Sequence, residues 1–227
     1  MTRQLPLAVA LRPEPELDNF IVGDNHQLLA ALRQLARQEH PEQLYLTGPS
    51  GSGKSHLLMA TVKAARDAGW RTAYLPLGEL PPQAIEGLES LDLLAFDDLD
   101  RIAGDDAWEE ALFHLFNQAH ALGRRLLFAA RRAAPRLPLA LPDLQSRLAW
   151  GQNYRLEPLD DAGREALLLL QAEKRGLQMR PEAARWMVAH CPRHPRELLE
   201  RLDHLDRAAL AAGRRLTLPF VRQQLTR

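Results

Sequence analysis

Residues 48–55 read Gly48-Pro49-Ser50-Gly51-Ser52-Gly53-Lys54-Ser55, a complete match to G-x-x-x-x-G-K-[ST]. This octapeptide constrains the fold more than anything else in the 227 residues, because it has a purpose only where a strand end turns into a helix start. The flanks supply that context. Leu44, Tyr45, Leu46 and Thr47 form a β-prone run, and residues 54–68 read as a helix with Gly69 at its stop. The residue types match the cradling of an anion. Glycines let the backbone wrap closely and point several N–H groups inward, and the following helix presents its positive dipole end. Lys54 supplies a charge that reaches β- and γ-phosphates, and the Ser55 hydroxyl is a hard oxygen ligand suited to Mg²⁺.

The remainder of the chain alternates short apolar runs with helical patterns. Strands are predicted at 71–77, 91–96, 125–129 and 153–159, and helices at 81–88, 105–122 and 142–149. An earlier helix carries Leu28, Leu29, Leu32 and Leu35 at a spacing near 3.6, with Asp24 or Asn25 placed to cap it. Such alternation predicts an α/β fold, a phosphate-loop parallel sheet flanked by helices, over 19–159. After Asp160 the alternation stops. Helical patterns at 161–175, 181–190, 194–212 and 217–226 predict a small all-helical subdomain over 160–227. Residues 1–18 read as a flexible arm, interrupted by Pro6, Pro13 and Pro15 and kept wet by Glu14, Glu16 and Asp18. The third strand ends in Asp97 and Asp98. Ends of parallel strands open onto the ligand crevice, so Asp97 is expected to hold Mg²⁺ through water and Asp98 to orient an attacking water.

Composition removes several classes. Lys and Arg number 29, as do Asp and Glu, which argues against a module held on nucleic acid by its own charge. A single cysteine, Cys191, permits no internal disulfide and reads as an inert, partly buried thiol. No segment is long and apolar enough for a membrane span, and the N-terminal residues lack a signal-peptide pattern, so a cytoplasmic protein is expected. Trp70, Trp108, Trp150 and Trp186 are expected in cores, as is the run Leu167–Leu170. Arg193 and His194 are expected at the surface, and Arg124, Arg125, Arg131, Arg132 and Arg136 read as a solvated edge and loop.

These elements together resemble the AAA+ ATPases, in which a helical lid follows the nucleotide-binding sheet. The segment Phe20-Ile21-Val22-Gly23-Asp24-Asn25 is similar to the stretch that lines the adenine pocket of DnaA-type initiators. The resemblance thus implies ADP or ATP with Mg²⁺ as cofactors, and Phe20 and Val22 as adenine contacts. Leu141-Pro142-Asp143-Leu144-Gln145-Ser146-Arg147-Leu148-Ala149-Trp150-Gly151 is similar to the DnaA segment that carries an arginine finger, which implies Arg147 as a finger acting in trans. Arg196, in Pro195-Arg196-Glu197-Leu198-Leu199, matches the phosphate-contacting arginine of the lid. Arg131 stands where relatives carry a polar or acidic residue after the fourth strand, which favours an activator of DnaA's ATPase over an efficient ATPase.

The chain as given departs from DnaA at both ends. It carries neither the N-terminal oligomerisation domain nor the C-terminal helix-turn-helix. Its first residues include Gln4-Leu5-Pro6-Leu7-Ala8-Val9, which looks like a sliding-clamp-binding motif with Gln4, Leu5 and Leu7 as docking residues. This combination resembles the DnaA-homologous regulatory inactivators. The implied function is negative regulation of replication initiation, through hydrolysis of DnaA-bound ATP on the DNA-loaded clamp. The implied partners are DnaA and the β-subunit sliding clamp of DNA polymerase III. DNA is met only indirectly, no membrane is involved, and a homo-oligomer is possible. The alternative is an ATP-driven helicase loader or a DnaA-like remodelling ATPase.

Overall fold

Three strands are apolar along nearly their whole length and need cover on both faces. They are β1 (Gln43–Thr47), β3 (Leu93–Asp97) and β4 (Arg125–Ala130). The computed structural model describes residues 14–37, 42–213 and 215–226. There these strands join β2 (Thr72–Pro76) and β5 (Gln152–Arg155) in one sheet of order β2-β3-β4-β1-β5. Every pairing is parallel. Side chains alternate between two cores, as a period of two requires. Tyr45, Phe96 and Phe128 point into a core covered by α3 (Asp106–Ala121) and α4 (Pro142–Leu148). Leu46, Ala95 and Leu127 point into the opposite core, covered by α1 (His26–Leu35) and α2 (Lys54–Asp67). The stacked rings of Phe96 and Phe128, 5.1 Å between centroids, join neighbouring strands.

The register brings the chemistry to one edge. Thr47 lies opposite Ala130 and Phe96 opposite Phe128, so β1, β3 and β4 finish side by side. The phosphate loop, Asp97–Asp98 and Arg131 follow those three strand ends.

The chain then forms the lid from α5 (Asp161–Lys174), α6 (Pro181–His190), α7 (Pro195–Ala212) and α8 (Leu218–Leu225), with a core of its own around Leu168, Met187, Leu198, Leu202 and Leu205. Proline occupies the first turn of α6, α7 and α8, where its missing N–H has no intrahelical acceptor. Leu168 is the buried member of the leucine run, and burial pushes the half-buried Cys191 thiol up. Among the described residues no helix is long and apolar enough to cross a membrane.

Several expectations need correction. The helix expected at 81–88 is two 3-10 turns, Pro82–Ile85 and Leu88–Ser90, with Gly87 in a left-handed conformation between them. The fifth strand stops at Arg155. Leu156 still donates its N–H to Thr47 O at 2.7 Å, but its side chain turns into the core, and Pro158 has no N–H to extend the ladder. Neither expected residue caps α1 by its side chain, and the Asn25 amide instead donates to Val22 O at 3.0 Å. The packed chain begins inside the segment read as an arm, because Leu17 is buried against α1 and α2. Trp150 is not a core residue, being 54 % exposed, whereas Trp108 is buried and Trp70 and Trp186 are half-buried. The candidate clamp motif Gln4, Leu5 and Leu7 lies outside the described residues.

Helix α4 is pinned at both ends. Before it, the buried Glu109 carboxylate accepts from the backbone N–H groups of Gly104 (2.7 Å), Ala140 (3.1 Å) and Leu141 (2.7 Å). After it, the Gln43 amide donates to the carbonyls of Arg147 (3.1 Å) and Leu148 (3.2 Å). Glu109→Ala leaves three amide donors without their acceptor and is expected to cost about 3 kcal/mol or more. Glu109→Gln, which keeps one acceptor oxygen, should cost about half as much. Urea denaturation of the three proteins measures this, and equal midpoints would show that the carboxylate does not hold the loop.

Candidate nucleotide-binding site

Gly51 and Gly53 adopt φ of +78° and +99°, conformations that suit glycine. A Cβ on Gly51 would lie 2.8 Å from His194 Nε2, and one on Gly53 would lie 2.7 Å from a Phe20 ring carbon. The loop is therefore a cradle closed by neighbours, with no space for side chains at these positions. Lys54 opens α2, is buried, and donates through Nζ to Gly48 O (2.7 Å) and Pro49 O (2.9 Å). Burial pulls its pKa down, against the opposing pull of Asp97, Asp98 and Asp100. The Ser52 hydroxyl is buried in the loop with no hydrogen-bond partner, a group that a bound anion would satisfy.

Asp97 ends β3 and is 2 % exposed. One carboxylate oxygen accepts from the Tyr74 hydroxyl at 2.8 Å and the other from the Asp98 N–H at 2.9 Å. Asp98 has φ of +58°, the one positive φ outside glycine among the described residues. Backbone held in that region is uncommon and is found where surrounding structure imposes it. Burial, then the adjacent Asp97 charge, pushes the Asp98 carboxyl up.

A cleft of about 540 Å³ lies between sheet and lid, with Asp97 behind its wall. Ser50, Gly51, Gly53, Lys54, Ser55 and Asp98 face it from the sheet side with Arg101 and Arg131. Lys174, Arg175 and Arg196 face it from the lid. Positive groups stand on both walls, those of the lid beside Asp203 and Glu200, which pair with Arg175 and Arg196. An adjoining pocket of about 140 Å³ is lined by Phe20, Ile21, Leu159, Leu167, Pro195 and Leu199, an apolar slot suited to a flat base. Val22 packs instead against the core under α1 and α2, and Ile21 takes the place beside Phe20.

Arg196 lines the cleft with a largely exposed side chain paired to Glu200 at 3.0 Å. Its neighbour His194 is not the plain surface residue expected. Nδ1 accepts the Arg196 N–H at 3.3 Å at the start of α7, so in the neutral ring Nε2 carries the proton and donates to Ser50 Oγ at 3.2 Å. This joins the lid directly to the phosphate loop. Arg193 is exposed and pairs with Asp161. Tyr74 and Leu167 have no motif around them in the sequence, whereas Ile21 and His194 lie in or beside segments already singled out, and the packing of distant elements brings all four to the site.

The donors fit Mg²⁺ held partly by phosphate. Among the described residues no group of three His, Cys, Asp or Glu side chains could hold a metal alone. Ser55 and Asp97 would supply the protein's share, and Mg²⁺ commonly takes one or two protein oxygens with phosphates and water.

Arg147 lies elsewhere. It is on α4, absent from the lining of the cleft, and its guanidinium sits 4.1 Å from the centroid of the Trp150 ring. Phe116 and His120 meet the same indole edge-on from α3.

Two family models match the chain. Residues 81–155 match the bacterial DnaA ATPase domain, and residues 161–225 match the lid domain of Hda. Among solved structures, domain III of the Thermotoga maritima replication initiation protein DnaA superposes with a TM-score of 0.81 at 23 % identity, covering 94 % of this chain and 96 % of that one. AMPPCP-bound DnaA from Aquifex aeolicus gives 0.71 at 24 % identity, covering 86 % and 65 %. The RuvB branch-migration motor of Thermotoga maritima gives 0.72 at 22 % identity, covering 95 % and 72 %. The shared fold is a parallel sheet flanked by helices and followed by a helical lid.

Lys54→Ala removes the buried charge of the loop and is expected to weaken adenine nucleotide binding at least about tenfold, since hydrogen bonds to charged groups are worth about 1.5–3 kcal/mol. Calorimetric titration with ADP measures this, with circular dichroism as the control for folding. An unchanged affinity would place the phosphates elsewhere.

Proposed function

Because this chain is an Hda/DnaA-related AAA+ protein, we propose that it restrains replication initiation by promoting hydrolysis of ATP bound to DnaA. One observation carries the reading: Arg147 is held on a pinned helix, stacked on an exposed tryptophan, and away from the chain's own cleft. A guanidinium so placed is available to a neighbour's nucleotide and not to its own. Stacking on an aromatic face suits arginine and limits the side chain's freedom before it meets a partner.

In this account the chain's own nucleotide, ADP or ATP with Mg²⁺, is a structural ligand. Lys54 and the loop amides take its phosphates, Phe20 and Ile21 contact the base with Leu167 and Leu199 of the lid, and Arg196 approaches the phosphates from α7. Asp97 and Ser55 hold the metal, which neutralises phosphate charge. Occupancy then sets the angle between sheet and lid, and with it the surface offered to DnaA. Gln4, Leu5 and Leu7 dock on the sliding clamp, and a clamp loaded on DNA concentrates the protein where DnaA acts. Arg147 enters DnaA's site and stabilises the charge that develops on the transferred phosphoryl group. Fingers supplied in trans are worth about 10³–10⁵ in rate in other phosphoryl-transfer systems.

Arg147→Ala is expected to leave ADP binding intact and to remove nearly all stimulation of DnaA's ATP hydrolysis, measured with clamp and DNA present. Full stimulation by the variant would exclude the finger. Replacing Gln4 and Leu7 by alanine should weaken clamp binding severalfold in a direct titration, and equal affinity would remove the arm from the account. Strong hydrolysis by the protein alone, stimulated by single-stranded DNA, would favour a loader.

A further inference from the structure

Tyr74 stands on the edge strand β2, one strand away from the acidic end of β3. Its hydroxyl donates to Asp97 Oδ2 at 2.8 Å. The direction of this bond is forced, because a phenol has one proton and an ionised carboxylate can only accept. Asp97 is fixed at both oxygens, by Tyr74 on one and by the Asp98 N–H on the other.

A carboxylate that is to hold a cation must keep its remaining lone pairs aimed at it. We propose that Tyr74 is a positioning residue for the metal, orienting Asp97 through the bond from Tyr74 Oη–H to Asp97 Oδ2. It touches neither nucleotide nor cation and acts through the carboxylate that would. Partners that orient metal ligands commonly carry about 10–100-fold in metal affinity.

The inference rests on the nucleotide reading above, and the test separates the two. Tyr74→Phe keeps the ring and removes only the hydroxyl. ADP affinity is measured by calorimetry for both proteins in excess EDTA and again at saturating Mg²⁺. The expected result is equal affinity in EDTA, with the gain on adding Mg²⁺ smaller in Tyr74→Phe by about tenfold or more. Equal affinity in EDTA also shows that the variant is folded around its site. The same Mg²⁺ gain in both proteins would overturn the role of Tyr74 and leave nucleotide binding untouched, as would a native protein that binds ADP with no Mg²⁺ gain. A native protein that binds no ADP under either condition would overturn the nucleotide reading and this inference with it.

Discussion

A buried lysine beside a buried hydroxyl that has no partner favours a negative group able to satisfy both. The loop from Gly48 to Ser55 sets this condition through Lys54 and Ser52, and much of the molecule answers to it. Its glycines adopt conformations that close the loop against Phe20 on one side and His194 on the other. Its lysine is buried and turned onto the carbonyls of Gly48 and Pro49, which accept from it. The parallel sheet exists at this site as a means of placement. Three neighbouring strands end together, and each delivers one component to the same edge: the loop, the acidic pair and Arg131.

The lid completes the site and is held to it by few direct bonds. His194 bridges the start of α7 to Ser50, while Leu167, Pro195 and Leu199 form the lid's wall of the apolar pocket. A cleft of this kind, built between two separate hydrophobic cores, converts occupancy into geometry, because a ligand that touches both walls fixes their relation. Arg147 is separate from this cleft. Its helix is tied down by Glu109 and Gln43, and its side chain rests on Trp150. One part of the protein can therefore hold a nucleotide while another presents a cation outward.

Much of this was legible in the residues alone. The octapeptide fixed the strand–loop–helix unit, and the alternating apolar runs located all five strands and all four lid helices. Burial of Leu28, Leu29, Leu32 and Leu35 follows their spacing. The misses have physical causes. Leu17 lies among prolines and acids, and nothing in that composition reveals that one side chain reaches a core formed by α1 and α2. Trp150 follows the general expectation for tryptophan only until its neighbours are known, when it proves to be a platform for an arginine. Tyr74 and His194 acquire their partners from residues 23 and 144 positions distant, a relation with no local signature. Val22 and Ile21 differ by one position, and the backbone's turn into α1 decides which of them faces the apolar pocket.

The central claim is that the amides of residues 48–55 enclose a diphosphate and that sheet and lid are organised about it. A crystal structure of the protein grown with excess ADP and Mg²⁺ tests this most directly. The account predicts phosphate oxygens within hydrogen-bonding distance of those amides and of Lys54 Nζ, with adenine between Phe20 and the lid residues Leu167 and Leu199. An empty loop under those conditions, or a nucleotide bound elsewhere on the surface, would contradict it.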